Sequence, residues 1–593
     1  MSNDYKIQRG TAMAMRDGTT LIADLYLPDG EGPWPTLLQR LPYDRSSLMT
    51  QSIFGLEGIK ALDAGFALVI QDTRGRYDSE GSFTPFVDEA LDAVDTVAWV
   101  VDQDWSDGRV AMWGASYIGA TQMLAATSAP KGLRAIAPQL TASEYYDGWT
   151  YSGGAFQLGF TLLWVIEALG GPDILRREDG AARDSALAIV GSLMKDPYAV
   201  FDRLPVDSDE IAEVAPYFRD WVRHDTRDEY WAAIEPSAHY GAMDVAGLHI
   251  AGWNDIFLQG NLRNYIGMRS GAATEWARDR QFLIVGPWSH GNPGDWQGDD
   301  WLGYPAAASV LNLTAIHLDF FRSVLDRSKP DMPRVQYFAG GVNEWRDAAD
   351  WPVPAVSAQL FLGGDGSAAS SSSGALSSNC PPDVVADEWT ADPSHPVPTV
   401  GGASFLPGLM LAKNSGPKEQ SAVETRPDVA VYSSGPLDED VDVTGEVRLV
   451  LHATTDATDC DWVARLVDAR PDGTTRSVVD GILRAKFRNG LSAPEAVAPG
   501  DVVEYDIVVG STSHVFKAGH RIRLQVCSSN YPRFDRNPQQ YMAVAQSTEA
   551  DFRVARQRVL HGGEHASRLV LPVVSGSITP CGQPSSRHYE ARP

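Results

Sequence analysis

The stretch from Val110 to Gly119 constrains the fold of this chain more than any other part of the sequence. It reads Val-Ala-Met-Trp-Gly-Ala-Ser-Tyr-Ile-Gly, so an apolar strand pattern leads into a small-residue turn at Ser116, and a helical pattern begins at Tyr117. Small neighbours let the strand and the helix approach closely, and such a tight turn exposes the serine hydroxyl. The helix N-terminus adds positive potential where an oxyanion would form. The stretch therefore predicts an α/β sheet with a candidate nucleophile at its edge.

One feature of this turn departs from the usual G-x-S-x-G pattern, because Gly119 arrives one residue late. Serine is also a favoured helix N-cap, so Ser116 by itself is explained as well by capping as by catalysis. A second small-residue sequence, Gly402-Ala403-Ser404, lacks a helical pattern after it and is set aside. A serine nucleophile needs a base and a third group that orients the base, so the rest of the chain must supply both.

Two later strand patterns end in residues that meet this need. Asp255 comes just after an apolar run over 247–253, and His290 follows another run over 281–285. The order Ser, Asp, His is that of hydrolases with this turn, and catalytic groups gather at the carboxyl ends of such strands. Asp255 alone fits a turn and His290 alone fits a loop, but the three together predict a triad. His249, inside a strand pattern, is interpreted as a core residue.

The order of patterns along the chain predicts four segments. Strands alternate with helices over residues 1–143 and again over 240–350, which is typical of a mostly parallel α/β sheet. Residues 144–239 have apolar positions at helical spacing and are interpreted as a mainly helical insertion, in which Pro216 predicts two short helices or a kink. Residues 363–379 are rich in Gly and Ser and predict a linker. Period-two runs between 446 and 573 place an all-β domain in residues 351–593.

Composition narrows the class of partners. The 593 residues carry 49 Lys and Arg against 77 Asp and Glu, a net charge of −28, so nucleic acid is an unfavourable partner. No apolar leader begins the sequence, and the longest purely apolar stretch, Ala64–Ile70, is too short to cross a membrane. Four scattered cysteines favour a cytoplasmic location, with buried and inert thiols. No cofactor or metal is indicated, and a homo-oligomer is left open.

Eight short blocks follow one another along the chain. They are Met15-Arg16-Asp17-Gly18, Pro42-Tyr43-Asp44, Gln71-Asp72-Thr73-Arg74-Gly75, Gly114-Ala115-Ser116-Tyr117, Ala251-Gly252-Trp253-Asn254-Asp255, Gly286-Pro287-Trp288-Ser289-His290, Gly519-His520-Arg521-Ile522 and Ser528-Ser529-Asn530-Tyr531-Pro532. In this order they resemble the cocaine esterase family, within the group of X-prolyl dipeptidyl peptidases, α-amino-acid ester hydrolases and glutaryl-cephalosporin acylases. The late glycine of the turn is normal in that family.

This resemblance implies an α/β-hydrolase core, a helical cap and a C-terminal jelly-roll domain. It also implies roles for five residues: Ser116 as nucleophile, His290 as general base and then acid, Asp255 as the group that holds the imidazole, and the Tyr43 hydroxyl with the Tyr117 backbone N–H as the oxyanion hole. A phenol stays protonated at neutral pH and can donate to an oxyanion. Without the resemblance, Tyr43 would be interpreted as a turn residue.

The resemblance further implies an acyl pocket, which would lie where the three parts meet. Trp149, Trp164 and Phe257 fall where the family holds a benzoyl group, and Gln51 matches a polar residue of that pocket. Phe405 and Leu406 fall near an aliphatic-aromatic pair of the family, but in changed order. Apart from the resemblance, the first three would be interpreted as packing residues.

The predicted function is a serine carboxylesterase for small-molecule esters with an apolar, aryl acyl group. The alternative is an amide or peptide hydrolase of the same group, for which Asp147 or Glu167 could pair with a substrate amine, because a buried ammonium needs a charged partner. A third reading is a carbohydrate- or partner-binding β domain on an inactive core. The complete set of Ser116, Asp255, His290 and Tyr43 argues against that reading.

Overall fold

The computed structural model describes residues 5–47, 55–177, 179–406 and 413–578 of the chain. Within these ranges, two large sheets hold most of the strands. The first has ten strands and is flanked by helices, and the second has eleven strands and few helices. The chain therefore combines an α/β part with a mostly-sheet part that follows it.

The first sheet is mixed, with a parallel centre. Its strands are β1 (Lys6–Ala14), β2 (Thr20–Leu27), β3 (Trp34–Leu41), β4 (Ala67–Asp72), β5 (Ser106–Ala115), β6 (Leu133–Gln139), β7 (Ala246–Asn254), β8 (Gln281–Ser289), β9 (Val335–Ala339) and β10 (Glu344–Ala348). They lie in the order β1-β2-β4-β3-β5-β6-β7-β8-β9-β10, and all neighbours from β4 to β9 are parallel. Every residue of β4, β7 and β8 is buried, as expected where both faces are covered. The predicted mostly parallel sheet is confirmed.

Helices cover both faces of this sheet. Successive side chains of a strand point to opposite faces, so Ala111 and Trp113 of β5 pack on the side of helix Leu313–Leu325, whereas Val110 and Met112 pack on the side of helices Glu89–Val101 and Tyr117–Thr127. The strand that precedes Ser116 is therefore held from two sides. The remaining helices around this sheet are Gly58–Asp63, Leu258–Gly271, Glu275–Asp279 and Ala308–Leu311.

The apolar spacing over 309–325 predicts one continuous helix, and the structure differs from this expectation. The structure divides it into Ala308–Leu311 and Leu313–Leu325, because Asn312 adopts a left-handed conformation with φ 57° and ψ 55°. Its side chain accepts a hydrogen bond from the Ala315 backbone N–H and caps the second helix. Asparagine tolerates this conformation better than most residues, so it serves as both the break and the cap.

Between β6 and β7 the chain is mainly helical. Pro216 begins the second of two short helices, because it lacks the N–H that a longer helix would need there. The run Leu158–Arg176 is long and apolar enough to cross a membrane. The search for purely apolar stretches, which gave Ala64–Ile70 as the longest, missed this run because Thr161 and Glu167 interrupt its apolar residues. However, 72% of its most apolar window is buried inside the protein. The α-helices are Leu158–Leu163, Gly171–Arg177, Gly180–Lys195, Pro197–Phe201, Asp209–Val214, Pro216–Arg223 and Glu229–Ala232, with a π-helix at Trp164–Gly170 and a 3₁₀ helix at Pro236–Ala242.

The second sheet is almost wholly antiparallel. Its strands are β11 (Val356–Gly363), β12 (Gly374–Ser377), β13 (Val385–Ala391), β14 (Val429–Ser433), β15 (Val441–Thr455), β16 (Asp461–Ala469), β17 (Thr475–Arg484), β18 (Val503–Phe516), β19 (Arg521–Cys527), β20 (Ala555–His561) and β21 (Arg568–Ser575). They lie in the order β13-β20-β15-β21-β11-β12-β14-β19-β16-β17, and β18 pairs with β15. The linker predicted over 363–379 is wrong in part, because it holds strand β12 and the short helix Ala368–Ser371.

The two parts of the chain are joined by a buried contact. Arg484 at the end of β17 donates to Asp461 and Asp535, and Asp535 also accepts the Phe156 backbone N–H at 3.1 Å. The Arg484 N–H donates to the Gly153 carbonyl at 2.9 Å. A Cβ on Gly153 would lie 2.0 Å from a backbone oxygen of β17, so only glycine allows this approach. The β domain is thereby anchored to the segment that carries Trp149.

The thiols only partly match the sequence prediction. Cys460 and Cys527 are buried and free, whereas Cys380 is free but exposed, because it lies in the loop between β12 and β13. Cys581 lies outside the described residues. The prediction of buried thiols is therefore wrong for Cys380.

Candidate active site

Ser116 lies at a strained turn between β5 and helix Tyr117–Thr127. Its φ of 61° and ψ of −126° are unusual for a residue other than glycine. A Cβ on Gly114 would lie 2.4 Å from the Ile118 side chain, and one on Gly119 would lie 3.0 Å from the Gln139 carbonyl. The late glycine of the sequence therefore has a packing reason, because the first turn of the helix presses on the end of β6.

The end of β6 holds this turn through a chain of hydrogen bonds. The Gln139 carbonyl accepts the Ser116 N–H at 2.9 Å, and the Gln139 amide donates to His317 Nε2 at 2.7 Å. His317 Nδ1 donates to the Leu313 carbonyl at 2.7 Å, so the ring is neutral with its proton on Nδ1. Burial lowers the pKa of His317 to about 4, which keeps the ring neutral at physiological pH. In the sequence His317 falls only within a helical pattern, and the structure shows that it supports the turn at Ser116.

The predicted base and its partner meet Ser116 because β7 and β8 are adjacent and parallel. Asn254 and Ser289, the last residues of these strands, are register partners, so Asp255 and His290 follow side by side. His290 Nδ1 lies 2.7 Å from Asp255 Oδ2, and His290 Nε2 lies 3.0 Å from Ser116 Oγ. Asp255 and His290 are both buried. The structure brings the three predicted residues into one hydrogen-bonded row.

The second oxygen of Asp255 also has a partner. Asp255 Oδ1 accepts the Phe257 backbone N–H at 2.7 Å, so the carboxylate is fixed at both oxygens. Because a carboxylate only accepts, His290 carries its proton on Nδ1 and presents a lone pair at Nε2 to the Ser116 hydroxyl. This arrangement can take a proton from the serine.

Tyr43 lies just after β3, in a loop whose backbone is fixed by Arg76. The buried Arg76 guanidinium donates to the Pro42 carbonyl at 2.7 Å, and the Tyr43 ring packs against Ile118, two residues after Ser116. Trp164 Nε1 donates to the Tyr43 hydroxyl at 3.0 Å. Burial raises the pKa of Tyr43 to about 12 although the Trp164 N–H opposes this shift. The hydroxyl therefore keeps its proton and can donate it elsewhere, because its oxygen is already the acceptor for Trp164.

Tyr117 is the first residue of its helix, so its backbone N–H has no acceptor within the helix. Its side chain points away from solvent, where the hydroxyl donates to Glu89 at 3.0 Å and accepts the Phe86 N–H at 2.8 Å. Glu89 is also paired with the buried Arg40 at 3.1 Å, and burial raises the pKa of Glu89 to about 7. The sequence analysis missed Glu89, whose only signal was an acidic residue in the first turn of a helix.

The predicted acyl-pocket rings converge beside the histidine. Trp149 stacks on Phe257 with centroids 4.1 Å apart and planes at 15°, and Trp164 meets Trp149 edge-on at 5.4 Å. Phe257 and Phe405 each lie edge-on to His290, at 5.1 and 4.9 Å. Phe405 comes from the β domain, so one ring of that domain contacts the imidazole.

The other predicted pocket residues have different outcomes. Leu406 packs on Gly159, where a Cβ would lie 2.7 Å from a Leu406 methyl group, and it is buried with the aromatic cluster. Gln51 lies outside the described residues. Phe160 was missed, although it stacks on Trp164 at 5.7 Å. The spacing of four residues between Phe160 and Trp164 on one helix could have indicated the contact.

The two carboxylates considered for an amine are placed differently. Asp147 lies 3.1 Å from the Arg263 guanidinium and accepts the Gly153 N–H at 3.1 Å, so its charge is already engaged. Glu167 is exposed, whereas Trp164 on the same helical segment is buried. Across the part of the chain that the structure describes, no group of three or more His, Cys, Asp or Glu side chains could hold a metal ion.

Few protein classes place a serine on a strand-to-helix turn and bring to it an Asp-held histidine from the ends of two later strands. The serine hydrolases with an α/β-hydrolase-like catalytic domain do so, and this chain is one of them. Residues 17–292 match the family model of X-Pro dipeptidyl-peptidase (S15 family), and residues 329–570 match its C-terminal non-catalytic domain.

The chain is 36% identical over 584 residues to cocaine esterase of Rhodococcus sp. (strain MB1 Bresler), which covers 97% of this chain and 100% of that one. It therefore belongs to the cocaine esterase family and is a serine hydrolase that acts on ester or amide bonds. A solved α-amino acid ester hydrolase is similar with a TM-score of 0.81 and 26% identity, covering 96% of this chain and 97% of that one. An aminopeptidase from a marine sediment Thaumarchaeota archaeon shares the fold, with a TM-score of 0.80, 24% identity, and coverage of 96% and 97%.

Proposed function

We propose that this enzyme hydrolyses carboxylic esters whose acyl group is apolar and aromatic, through an acyl-enzyme on Ser116. The main support for this proposal is that Phe257 and Phe405 lie edge-on to His290, with Trp149 stacked on Phe257. An aryl acyl group on Ser116 would therefore meet ring faces and edges rather than charges. Such contacts favour an uncharged, flat group.

The first chemical step follows from the hydrogen-bonded row. As Ser116 Oγ attacks the acyl carbonyl, its proton moves to His290 Nε2, which is 3.0 Å away. The imidazolium that forms is stabilised by Asp255 at 2.7 Å, and the fixed carboxylate keeps the ring in the right orientation. His290 then gives this proton to the leaving alkoxide, which departs as an alcohol.

The negative charge on the carbonyl oxygen needs donors that are already in place. The Tyr43 hydroxyl is one, because Trp164 occupies its oxygen as a donor and leaves its proton available. The Tyr117 backbone N–H at the helix N-terminus is the other. Preorganised donors of this kind act most strongly on the developing oxyanion.

Deacylation repeats the same steps with water. A water molecule on the alcohol side loses a proton to His290 Nε2 and attacks the acyl carbonyl, and the ester bond to Ser116 breaks. His290 returns the proton to Ser116 Oγ, so the enzyme is restored and the carboxylic acid leaves. Water is the only co-reactant that the cycle consumes.

The surrounding parts have proposed roles in this cycle. The helical segment 144–239 would act as a cap, and it carries Trp149 and Trp164. The C-terminal domain would be a jelly roll that closes the site, since Phe405 reaches the imidazole. A cytoplasmic location remains our proposal, supported by the free thiols Cys380, Cys460 and Cys527. A small-molecule ester remains the proposed partner, and the net charge of −28 supports the exclusion of nucleic acid.

The second candidate is amide or peptide hydrolysis, favoured by the match of residues 17–292 to the family model of X-Pro dipeptidyl-peptidase. A substrate amine would need an available carboxylate, and the engagement of Asp147 by Arg263 argues against that residue. The test compares kcat/KM for p-nitrophenyl benzoate, an aminoacyl p-nitrophenyl ester and an aminoacyl-prolyl anilide. We expect the benzoyl ester to be the fastest, and faster turnover of the anilide would reverse the ranking.

A further inference from the structure

A cavity of about 370 Å³ lies where the first sheet meets the β domain, and none of the proposed active-site residues lines it. Asn254 and Pro287, near the ends of β7 and β8, form one wall. His514 of β18 and His520 before β19 form another. A short hairpin, Trp296–Gln297 with Asp300–Trp301, forms a third. The volume is at the lower end of the range of roughly 300–1,000 Å³ for small-molecule sites.

The hairpin presents two tryptophans to this cavity. Trp296 and Trp301 are register partners across the hairpin, so their side chains project from the same face. They are 58% and 50% exposed, in contrast to the fully buried Trp149. Trp301 Nε1 donates to Asp295 at 3.0 Å, which fixes the orientation of that ring. Large aromatic rings held in this way at a cavity are typical of a binding site rather than of a core.

The charged groups at and beside the hairpin are paired with one another. Asp300 accepts from Arg470 at 2.6 Å and from Arg476 at 3.0 Å. Lys418 holds the neighbouring Asp299 at 2.7 Å. The carboxylates would repel an anionic ligand, and the guanidinium groups would repel a cation. The pairing therefore favours a neutral ligand.

The wall formed by His514 and His520 has the same kind of pairing, here between histidines and a carboxylate. His514 Nε2 lies 3.2 Å and His520 Nδ1 lies 2.8 Å from the two oxygens of Asp468. Asn343 also lines the cavity, and its Oδ1 atom is buried without a hydrogen-bond partner among the described residues. The cavity walls thus carry both hydrogen-bond donors and hydrogen-bond acceptors. A hydroxyl group both donates and accepts, so a ligand with several hydroxyls can satisfy both kinds of group.

We propose that this cavity binds a neutral pyranose sugar, either free or as a unit of a glycan. A pyranose has an apolar face of C–H groups, which suits the negative face of an indole ring, and hydroxyls around its edge for the paired charges. The net charge of −28 disfavours acidic polysaccharides. The site is separate from the ester chemistry, so it does not depend on the proposed function.

The test uses the full-length protein and methyl glycosides of glucose, galactose, mannose and xylose in both anomers, followed by calorimetry and ligand-observed NMR. We expect saturable binding of at least one glycoside. Trp296→Ala and Trp301→Ala should each weaken it by about tenfold, which corresponds to about 1.4 kcal/mol. Tyr541→Ala, which removes an exposed ring that does not line the cavity, is the matched control and should bind as the wild type does.

Further measurements distinguish a neutral sugar from an anion, and a free sugar from a unit of a glycan. Binding of a neutral sugar should change less than about twofold between about 0.05 and 0.5 M NaCl, whereas an anion held by the arginines would bind much more weakly at high salt. Tighter binding of the matching oligosaccharide than of the methyl glycoside would identify a glycan chain, and equal binding would identify the free sugar. The double variant Trp296→Ala/Trp301→Ala should keep the wild-type melting temperature and rate on p-nitrophenyl benzoate, which shows that it is folded.

Three outcomes would overturn the proposal. One is that no glycoside binds up to about 50 mM, a concentration that would reveal even very weak sites. Another is that binding survives the double tryptophan variant, which would place the sugar elsewhere. The third is that benzoate, but no glycoside, binds in a manner that requires Trp296 and Trp301, which would make the cavity an anion site.

Discussion

The molecule has two aromatic sites that differ in what surrounds their rings. Around the strand-to-helix turn at Ser116, called the elbow from here on, Trp149 and Trp164 are buried among other rings and contact one another directly. At the domain junction, Trp296 and Trp301 are half exposed and stand among paired Asp, Arg and His side chains. Tryptophan therefore lines a dry site for an apolar acyl group in one region and a polar cavity for a hydroxyl-bearing ligand in the other.

The difference follows from how each site is assembled. The elbow rings come from segments that are far apart in the chain, such as Trp149, Phe257 and Phe405, so they exclude water only once the fold is complete. The hairpin rings are close in sequence and share one face of a two-stranded turn. Long-range assembly buries rings, whereas a local hairpin on the surface leaves them exposed.

The largest effect is expected at the elbow itself. Ser116→Ala should lower kcat for p-nitrophenyl benzoate by about 10⁵–10⁶, because removal of a triad serine leaves only the oxyanion donors and binding. Labelling by a fluorophosphonate should also be lost. Ser404→Ala, which changes the other small-residue serine, is the matched control and should keep both activities. Persistent labelling of the Ser116 variant would remove Ser116 from the chemistry.

Next in size is the loss of the phenol donor. Tyr43→Phe should lower kcat by about 10²–10³, the usual result of removing one oxyanion donor, while KM changes little. The ring and its packing on Ile118 remain, so stability should be nearly unchanged. Steady-state kinetics and a melting curve measure the two effects. An unchanged kcat would show that Tyr43 does not contact the oxyanion.

A stability effect should come from the histidine beneath the elbow. The pKa of His317 is lowered by burial from 6.5 to about 4, so the unfolded chain binds a proton that the folded chain does not. Its contribution is present above pH 6.5 and is lost as pH falls toward 4, by about 3 kcal/mol for 2.5 pH units. His317→Gln should therefore reduce the acid loss of unfolding free energy.

Urea unfolding between pH 4 and 8 measures this change. The variant and the wild type should have parallel stability curves above pH 7, which serves as the internal control, and should converge below pH 6. If the unfolding free energy of the variant fell with pH as steeply as that of the wild type in the acid range, His317 would not titrate with folding.

The smallest effect is a single hydrogen bond in the aromatic cluster. Trp164→Phe removes the donor to Tyr43 and should lower kcat by about 2–10-fold, which corresponds to a net hydrogen bond of about 0.5–1.5 kcal/mol. Trp149→Phe is the matched control, because its Nε1 atom has no hydrogen-bond partner among the described residues. It removes a similar ring area without touching Tyr43, so equal losses in kcat would show that only packing matters.

Much of the candidate site could be predicted from the sequence because strand ends carry it. Asp255 and His290 follow adjacent parallel strands, so their meeting depends on a register that the β-α alternation already indicates. Glu89 and His317 could not be found in this way. Glu89 reaches the site through its contact with Tyr117, and His317 reaches it through its contact with Gln139. Neither contact leaves a periodic trace in the sequence.

The many aromatic residues of the chain show the same limit of prediction from sequence. The sequence offers 17 Trp residues without saying which are buried. The helical spacing of Phe160 and Trp164 indicates a shared face, but the contact of Phe160 with Phe405 of the β domain depends on how the domains pack. The exposed pair Trp296 and Trp301 had no signal as a binding platform, because a two-stranded hairpin is too short to produce a pattern.

The sequence by itself determined the α/β order, the elbow at Ser116 and the identity of the acid and base, because these depend on local geometry and on strand ends. Only the tertiary structure decided which rings surround His290, what holds the Tyr43 hydroxyl and where a second cavity lies. The physical reason is that burial, ring contacts and paired charges arise between segments distant in sequence. Their positions are set by packing free energy summed over the whole fold rather than by any local pattern.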